Sequence, residues 1–247
     1  IHDRLTWSGH TVKSKGYFYL FFTESSPVKG QVQQKIMVAK SYEGVDFARP
    51  KTVLDPTNES VRKEAEHLGY HLGSGDGLVM AWRDPFYYQG SLYFAAKAVD
   101  PVSQKIRPVI GRAMQAGDSM EHWILQAPMF LPIEGNITQI ELPNVKKLED
   151  GRTILSVNLS NLKSDNTPER EVKTWVRLYE RKDDHLWRPA QLDPLDSEGN
   201  LFTPSDQVYG FNLITGPVGL QGSGFYREGY SSKAFSLTPF VPLKERK

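Results

Sequence analysis

The sequence predicts an all-β fold built from repeated four-stranded antiparallel sheets, and three observations carry that prediction. Of 247 residues, 11% are aromatic, and they fall in short apolar runs separated by glycine-containing turns, which is the pattern of strands. Three segments, residues 34–47, 108–123 and 174–187, follow one plan of apolar strand, acidic or glycine turn, and aromatic. Upstream of each lies a hairpin with a glycine near its turn, at residues 9–23, 85–96 and 143–157.

A further apolar strand ending in a polar or proline break follows the plan, as at residues 50–54 and 125–131. The unit is therefore four antiparallel strands, recurring at roughly 55–75-residue intervals. Four-stranded sheets repeated in this way are the blades of a β-propeller. A weaker fourth unit starts at residues 208–214 and runs out through 234–240. A β-sandwich with accidentally similar hairpins is the alternative. Only residues 58–68 read as helix: Asn58 can cap it, Val61, Ala65 and Leu68 share a face, and Gly69 stops it. No linker interrupts the pattern, so residues 1–247 read as one domain.

Composition removes several function classes. Thirty basic against 29 acidic side chains give a net charge of +1, without the basic excess that nucleic acid or an anionic membrane surface would call for. The longest apolar runs, such as residues 17–23, are too short for a membrane-spanning helix. With no cysteine, disulfide scaffolds, thiolate zinc sites and cysteine nucleophiles are all excluded. The chain begins at Ile1, with no initiator methionine and no signal-like segment. It reads as starting after a removed leader or inside a longer gene product.

The repeat makes the polar positions informative. The first residues of each innermost strand face a propeller's channel mouth, and here they are Trp7-Ser8-Gly9, Trp82-Arg83-Asp84-Pro85 and Gln139-Ile140-Glu141-Leu142-Pro143. Glu141 and Asp84 would thereby share a funnel with Arg83, Trp7 and Trp82. Glycoside hydrolysis needs such a pair, one carboxyl protonated to donate to the leaving oxygen and one ionised to stabilise charge at the anomeric carbon. Aromatic faces supply a surface on which a sugar ring stacks. The alternative is that the two carboxylates cap strand ends or pair with Arg83.

Trp7-Ser8-Gly9, then Arg83-Asp84-Pro85, then Glu141-Leu142-Pro143-Asn144 resembles the motif series of glycoside hydrolase families 68 and 32, the levansucrases, invertases and fructan hydrolases. That resemblance implies a five-bladed propeller, of which about four blades are present here. It implies that Glu141 is the general acid/base and that Asp84 binds fructosyl hydroxyls and stabilises an oxocarbenium-like transition state. Arg83 would hold that carboxylate or the sugar, and Trp7 with Ser8 would line the fructosyl pocket; Trp82 and Gln139, which the blade repeat puts at the same mouth, read as substrate-binding beside them. The reaction would be retaining, on sucrose, levan or inulin type fructosides, with an oligo- or polysaccharide as the partner and an extracellular or periplasmic location.

Two departures qualify the match. Leu142 stands where levansucrase-like sequences carry a sugar-binding arginine. The family's aspartate nucleophile sits on a first blade well before Trp-Ser-Gly. Asp3, on the same extended strand as Ser8, would lie roughly 16 Å from it where a retaining pair closes to about 5 Å, so it cannot replace that aspartate. The nucleophile is therefore not identifiable and the first blade is apparently missing. Two other readings stay open: a non-catalytic carbohydrate-binding propeller, and a family 43-like inverting glycosidase of arabinan or xylan.

Other signals carry less. Glu64, His67 and His71 have a spacing that metals use, but Gly69 separates His71 from the helix, so no metal is expected. Residues 73–77 read as a rim loop rather than a phosphate loop. Asp76 within it could hold a structural calcium, and no other cofactor is expected. Asn58, Asn136 and Asn158 head sequons.

Overall fold

The protein is described by a computed structural model over residues 5–28, 31–73, 81–133, 135, 137–161, 174–182, 186–193, 200, 208–216, 219–227, 235–237 and 241–245. Three four-stranded antiparallel meanders follow one another along the chain. The first is β1 (Leu5–Ser14), β2 (Tyr17–Val28), β3 (Gln31–Ser41) and β4 (Lys51–Leu54). The second is β5 (Trp82–Tyr88), β6 (Ser91–Val99), β7 (Ile106–Gln115) and β8 (Trp123–Met129). The third is β9 (Gln139–Lys147), β10 (Thr153–Ser160), β11 (Thr174–Arg181) and β12 (Arg188–Pro189).

A short β13 (Leu192–Asp193) pairs with β18 (Lys244–Glu245) near the C-terminus. The fourth sheet orders β14 (Val208–Gly216), β15 (Gly219–Arg227) and β16 (Phe235–Leu237), with β17 (Val241–Pro242) also on β15. The all-β, four-stranded blade architecture is thus the one the repeats predict.

Local chemistry explains the regularity. The first two blades open with two-residue hairpins, Ser14 opposite Tyr17 and Tyr88 opposite Ser91. Their turn residues, Lys15-Gly16 and Gln89-Gly90, all have positive φ, from 46° to 81°. That geometry matches strand twist and makes glycine the natural second turn residue. The helix α1 (Glu59–His67) forms where expected, with Asn58 Oδ1 accepting from the Ser60 and Val61 N–H groups. Gly69 ends it at φ +90°.

The chain divides into two compact units, Ile1–Phe130 and Leu131–Lys247. In the first, Phe21, Ile36 and Val38 of blade one pack on Trp82, Phe94 and Ala96 of blade two. Each large side chain buried there contributes about 1.5–3 kcal/mol. Gly111 lets the Phe94 ring in: a Cβ there would sit 2.2 Å from Phe94 Cε2. The β7–β8 ladder breaks between Ile110 and Arg112. Buried Tyr70 bridges the gap, its hydroxyl accepting from the Arg112 N–H at 3.0 Å and donating to the Gln126 carbonyl at 2.8 Å. Burial pushes that phenol's pKa well up. In the second unit Ile154, Val176 and Leu178 pack with Leu213, Leu220 and Leu243.

Candidate functional site

Every blade bulges its innermost strand at one register position. Trp7 pairs with Thr23 and Gly9 with Phe22, leaving Ser8 over. Arg83 pairs with Ala95 and Phe86 with Tyr93, so Asp84 and Pro85 both stand opposite Phe94. Glu141 pairs with Asn158 and Asn144 with Ser156, so Leu142 and Pro143 both face Val157. Tyr209 and Asn212 bracket the same irregularity in blade four. Aligned on these breaks, Trp7, Arg83, Glu141 and Tyr209 are equivalent positions. A bulge re-aims side chains and stops pairing, and bulges concentrate beside functional sites.

Two of the bulges store strain. Asp84 lies at φ +58° and Leu142 at φ +51°, each directly before a proline. Left-handed backbone at a residue with a Cβ costs roughly 1–2 kcal/mol, and a following proline disfavours helical conformations further. In blade one Gly9 is required for a different reason. A Cβ on it would lie 1.9 Å from the Phe21 carbonyl oxygen.

Side chains of blade one hold the second bulge. Ser8 Oγ donates to Asp84 Oδ1 at 2.5 Å. Asp84 Oδ2 is 3.7 Å from Arg83 Nε, both side chains being about 5% exposed. Three β5 main-chain N–H groups find side-chain acceptors: Trp82 on Gln34 Oε1 at 2.9 Å, Asp84 on Thr23 Oγ1 at 2.8 Å, and Tyr87 on His10 Nδ1 at 3.2 Å. The His10 ring stacks on Phe86 with centroids 4.0 Å apart. Desolvation lowers its pKa from 6.5 to about 4, so near neutrality the imidazole is uncharged and its Nδ1 is free to accept.

The other expected residues divide. Trp7 is half-buried beside the first bulge. Trp82 is fully buried in the core between blades one and two, its indole N–H donating to the Leu54 carbonyl at 3.3 Å and its ring against Tyr70 and Phe94. In the second unit Glu141 is half-buried at the third position of β9, while Gln139 is buried opposite Ser160. β10 supports them with a buried polar row, Ser156, Asn158 and Ser160. Arg177 on β11 is also buried and donates from Nε to Asn200 Oδ1 at 2.8 Å.

Sequence reasoning missed Thr23, Gln34 and Arg177. The prolines following Asp84 and Leu142 were the available signal, since a proline inside a strand marks an edge or a bulge.

No cluster of three or more metal-ligating side chains occurs among the described residues. Asp3, Asp76 and Asn136 lie outside them. Asn58 caps α1, and Asn158 is 2% exposed within β10. No helix among the described residues is long and apolar enough to cross a membrane.

No family model matches the sequence, and no curated protein does. Solved structures do. A Bombyx mori GH32 beta-fructofuranosidase aligns over 97% of this chain with a TM-score of 0.56 at 16% identity. A thermostable family-43 glycoside hydrolase aligns over 98% with a TM-score of 0.56 at 14% identity. An endo-arabinase from Bacteroides thetaiotaomicron aligns over 98% with a TM-score of 0.51 at 13% identity.

The fold is therefore the β-propeller found in GH32 and GH43 carbohydrate-active enzymes. This chain spans 48% of the Bombyx mori enzyme, 72% of the family-43 hydrolase and 75% of the endo-arabinase.

Proposed function

We propose that the protein is a glycosidase in which Glu141 is the acid and Asp84 the carboxylate that orients the sugar and stabilises positive charge on it. One observation carries this: the same bulge recurs in the blades, and two of its copies carry a carboxylate, Asp84 at the left-handed residue and Glu141 one residue before it. Glu141, half-buried, is within reach of water and ligand, as a group that must gain and lose a proton requires. Asp84 is fixed by Ser8 and Arg83 in a surface-poor setting, as a group that must not move requires.

We favour an arabinan- or xylan-type polymer cleaved with inversion. This chain spans more of the family-43 structures than of the fructofuranosidase, and Leu142 replaces the arginine of levansucrase-like sequences. In an inverting reaction Glu141 protonates the leaving oxygen while another carboxylate activates water on the opposite face. The second reading is a fructoside cleaved with retention. It requires five blades and an aspartate nucleophile on a blade ahead of Trp7. In it Glu141 would act first as acid and then as base.

The test is incubation with arabinan, xylan, sucrose, inulin and levan, with the anomer first released read by proton NMR. Release of an inverted pentose supports the favoured reading, and a retained fructose moves the assignment to the second. Release from none, with oligosaccharide binding detected by calorimetry, overturns the enzyme in favour of a binding module.

A further inference from the structure

We propose that Thr23 is a positioning residue for Asp84: it acts by holding the main chain at the bulge, without touching substrate. The proposal rests on Asp84 being the sugar-orienting carboxylate. β5 is the edge strand of its sheet, so the Asp84 N–H, like the Trp82 N–H two residues before it, bonds outside the β5–β6 ladder, and Pro85 has no N–H to offer. Asp84 is 6% exposed, so water is a poor substitute acceptor, and a buried N–H without a partner is strongly disfavoured. Thr23 Oγ1 takes that hydrogen bond at 2.8 Å from a side chain that is itself fully buried.

The rest of the contact set gives Thr23 its importance. Ser8 and Arg83 grip the carboxylate, but neither restrains the φ of +58° from which it projects. Gln34 anchors the strand two residues earlier, through the Trp82 N–H, and His10 three residues later, through the Tyr87 N–H. Thr23 lies between these anchors, on the strained residue itself. Without its oxygen, the bulge gains nothing from keeping Asp84 left-handed, and the carboxylate loses its fixed origin. The register explains why blade one can supply the group: Thr23 pairs with Trp7, the residue just before that blade's own bulge.

The test compares Thr23→Val, which keeps the shape and removes the acceptor, with Thr23→Ser, which keeps the acceptor. Hydrogen exchange at the Asp84 amide should rise at least about tenfold in Thr23→Val and stay near wild type in Thr23→Ser. On the glycan that wild type cleaves, kcat per folded enzyme should fall about 10–100-fold in Thr23→Val, KM changing far less, with Thr23→Ser restoring it. Ile36→Val, a core change at the residue paired with Thr23 on β3, should leave kcat unchanged and so separates positioning from general destabilisation. Unchanged exchange at Asp84 in Thr23→Val overturns the hydrogen bond. Raised exchange with intact kcat overturns the positioning role. A wild type that cleaves no glycan overturns the glycosidase reading, and amide exchange then decides the hydrogen bond by itself.

Discussion

The bulges of the second and third blades use one backbone device to different ends. Both place a left-handed residue before a proline, at Asp84 and at Leu142. In the second blade the acid is the strained residue itself, 6% exposed and gripped by Ser8 and Arg83. In the third blade the acid comes one residue earlier, and Leu142 absorbs the strain while Glu141 stays half-buried. A shift of one residue along a common motif thus separates a buried carboxylate from a half-buried one.

The sharpest way to break this comparison is to neutralise each acid in turn. Glu141→Gln should lower glycan turnover about 10²–10⁴-fold with binding largely kept. Asp84→Asn should lower turnover comparably and weaken binding as well. Steady-state kinetics with calorimetry separates the two, and equal losses of affinity would erase the distinction.

Next in size is backbone fit. Gly9→Ala drives a Cβ into the Phe21 carbonyl and should cost about 3 kcal/mol or more if the strands cannot part. Gly16→Ala, with open space at φ +81°, should cost only about 1 kcal/mol. Urea unfolding of both variants measures the gap between a glycine needed for space and one needed for conformation.

A smaller effect comes from His10. Its folded pKa, about 4, lies below the ordinary histidine value of 6.5, so on acidification the unfolded chain takes up the proton first. Stability is complete above about pH 6.5 and declines as pH falls toward 4, by on the order of 1–2 kcal/mol after allowing for the ring's part exposure. The lowered carboxyl pKa values of Asp100, Asp118 and Asp150 act at more acid pH. His10→Gln should flatten the slope in urea unfolding between pH 6.5 and 5. The smallest change is Leu142→Asn. Asparagine tolerates left-handed backbone, so the variant should shift stability by less than about 1 kcal/mol either way.

The hairpins were legible because each is locally encoded, by a glycine at the turn and alternation along the strands. So was α1, whose Asn58 cap and Gly69 stop act within a few residues. Asp84 and Glu141 were legible as motif residues, but their settings were not, since a setting depends on partners from other strands. Trp82 shows the limit. Its place next to Arg83 suggests a rim position, yet alternation along β5 turns its ring into the core. Thr23 and Gln34 were invisible for the same reason, being ordinary polar residues in apolar strands until the neighbouring blade supplies the N–H groups they accept from.

β5 is the edge strand of its sheet. An edge with unpaired N–H groups is a template on which another chain can add a strand. At residues 82, 84 and 87 those donors are already engaged by side chains from blade one. The contacts that fix Asp84 therefore also make the edge unattractive to a foreign strand. Loss of Thr23, Gln34 or His10 should show itself as a tendency to self-associate before it shows as unfolding.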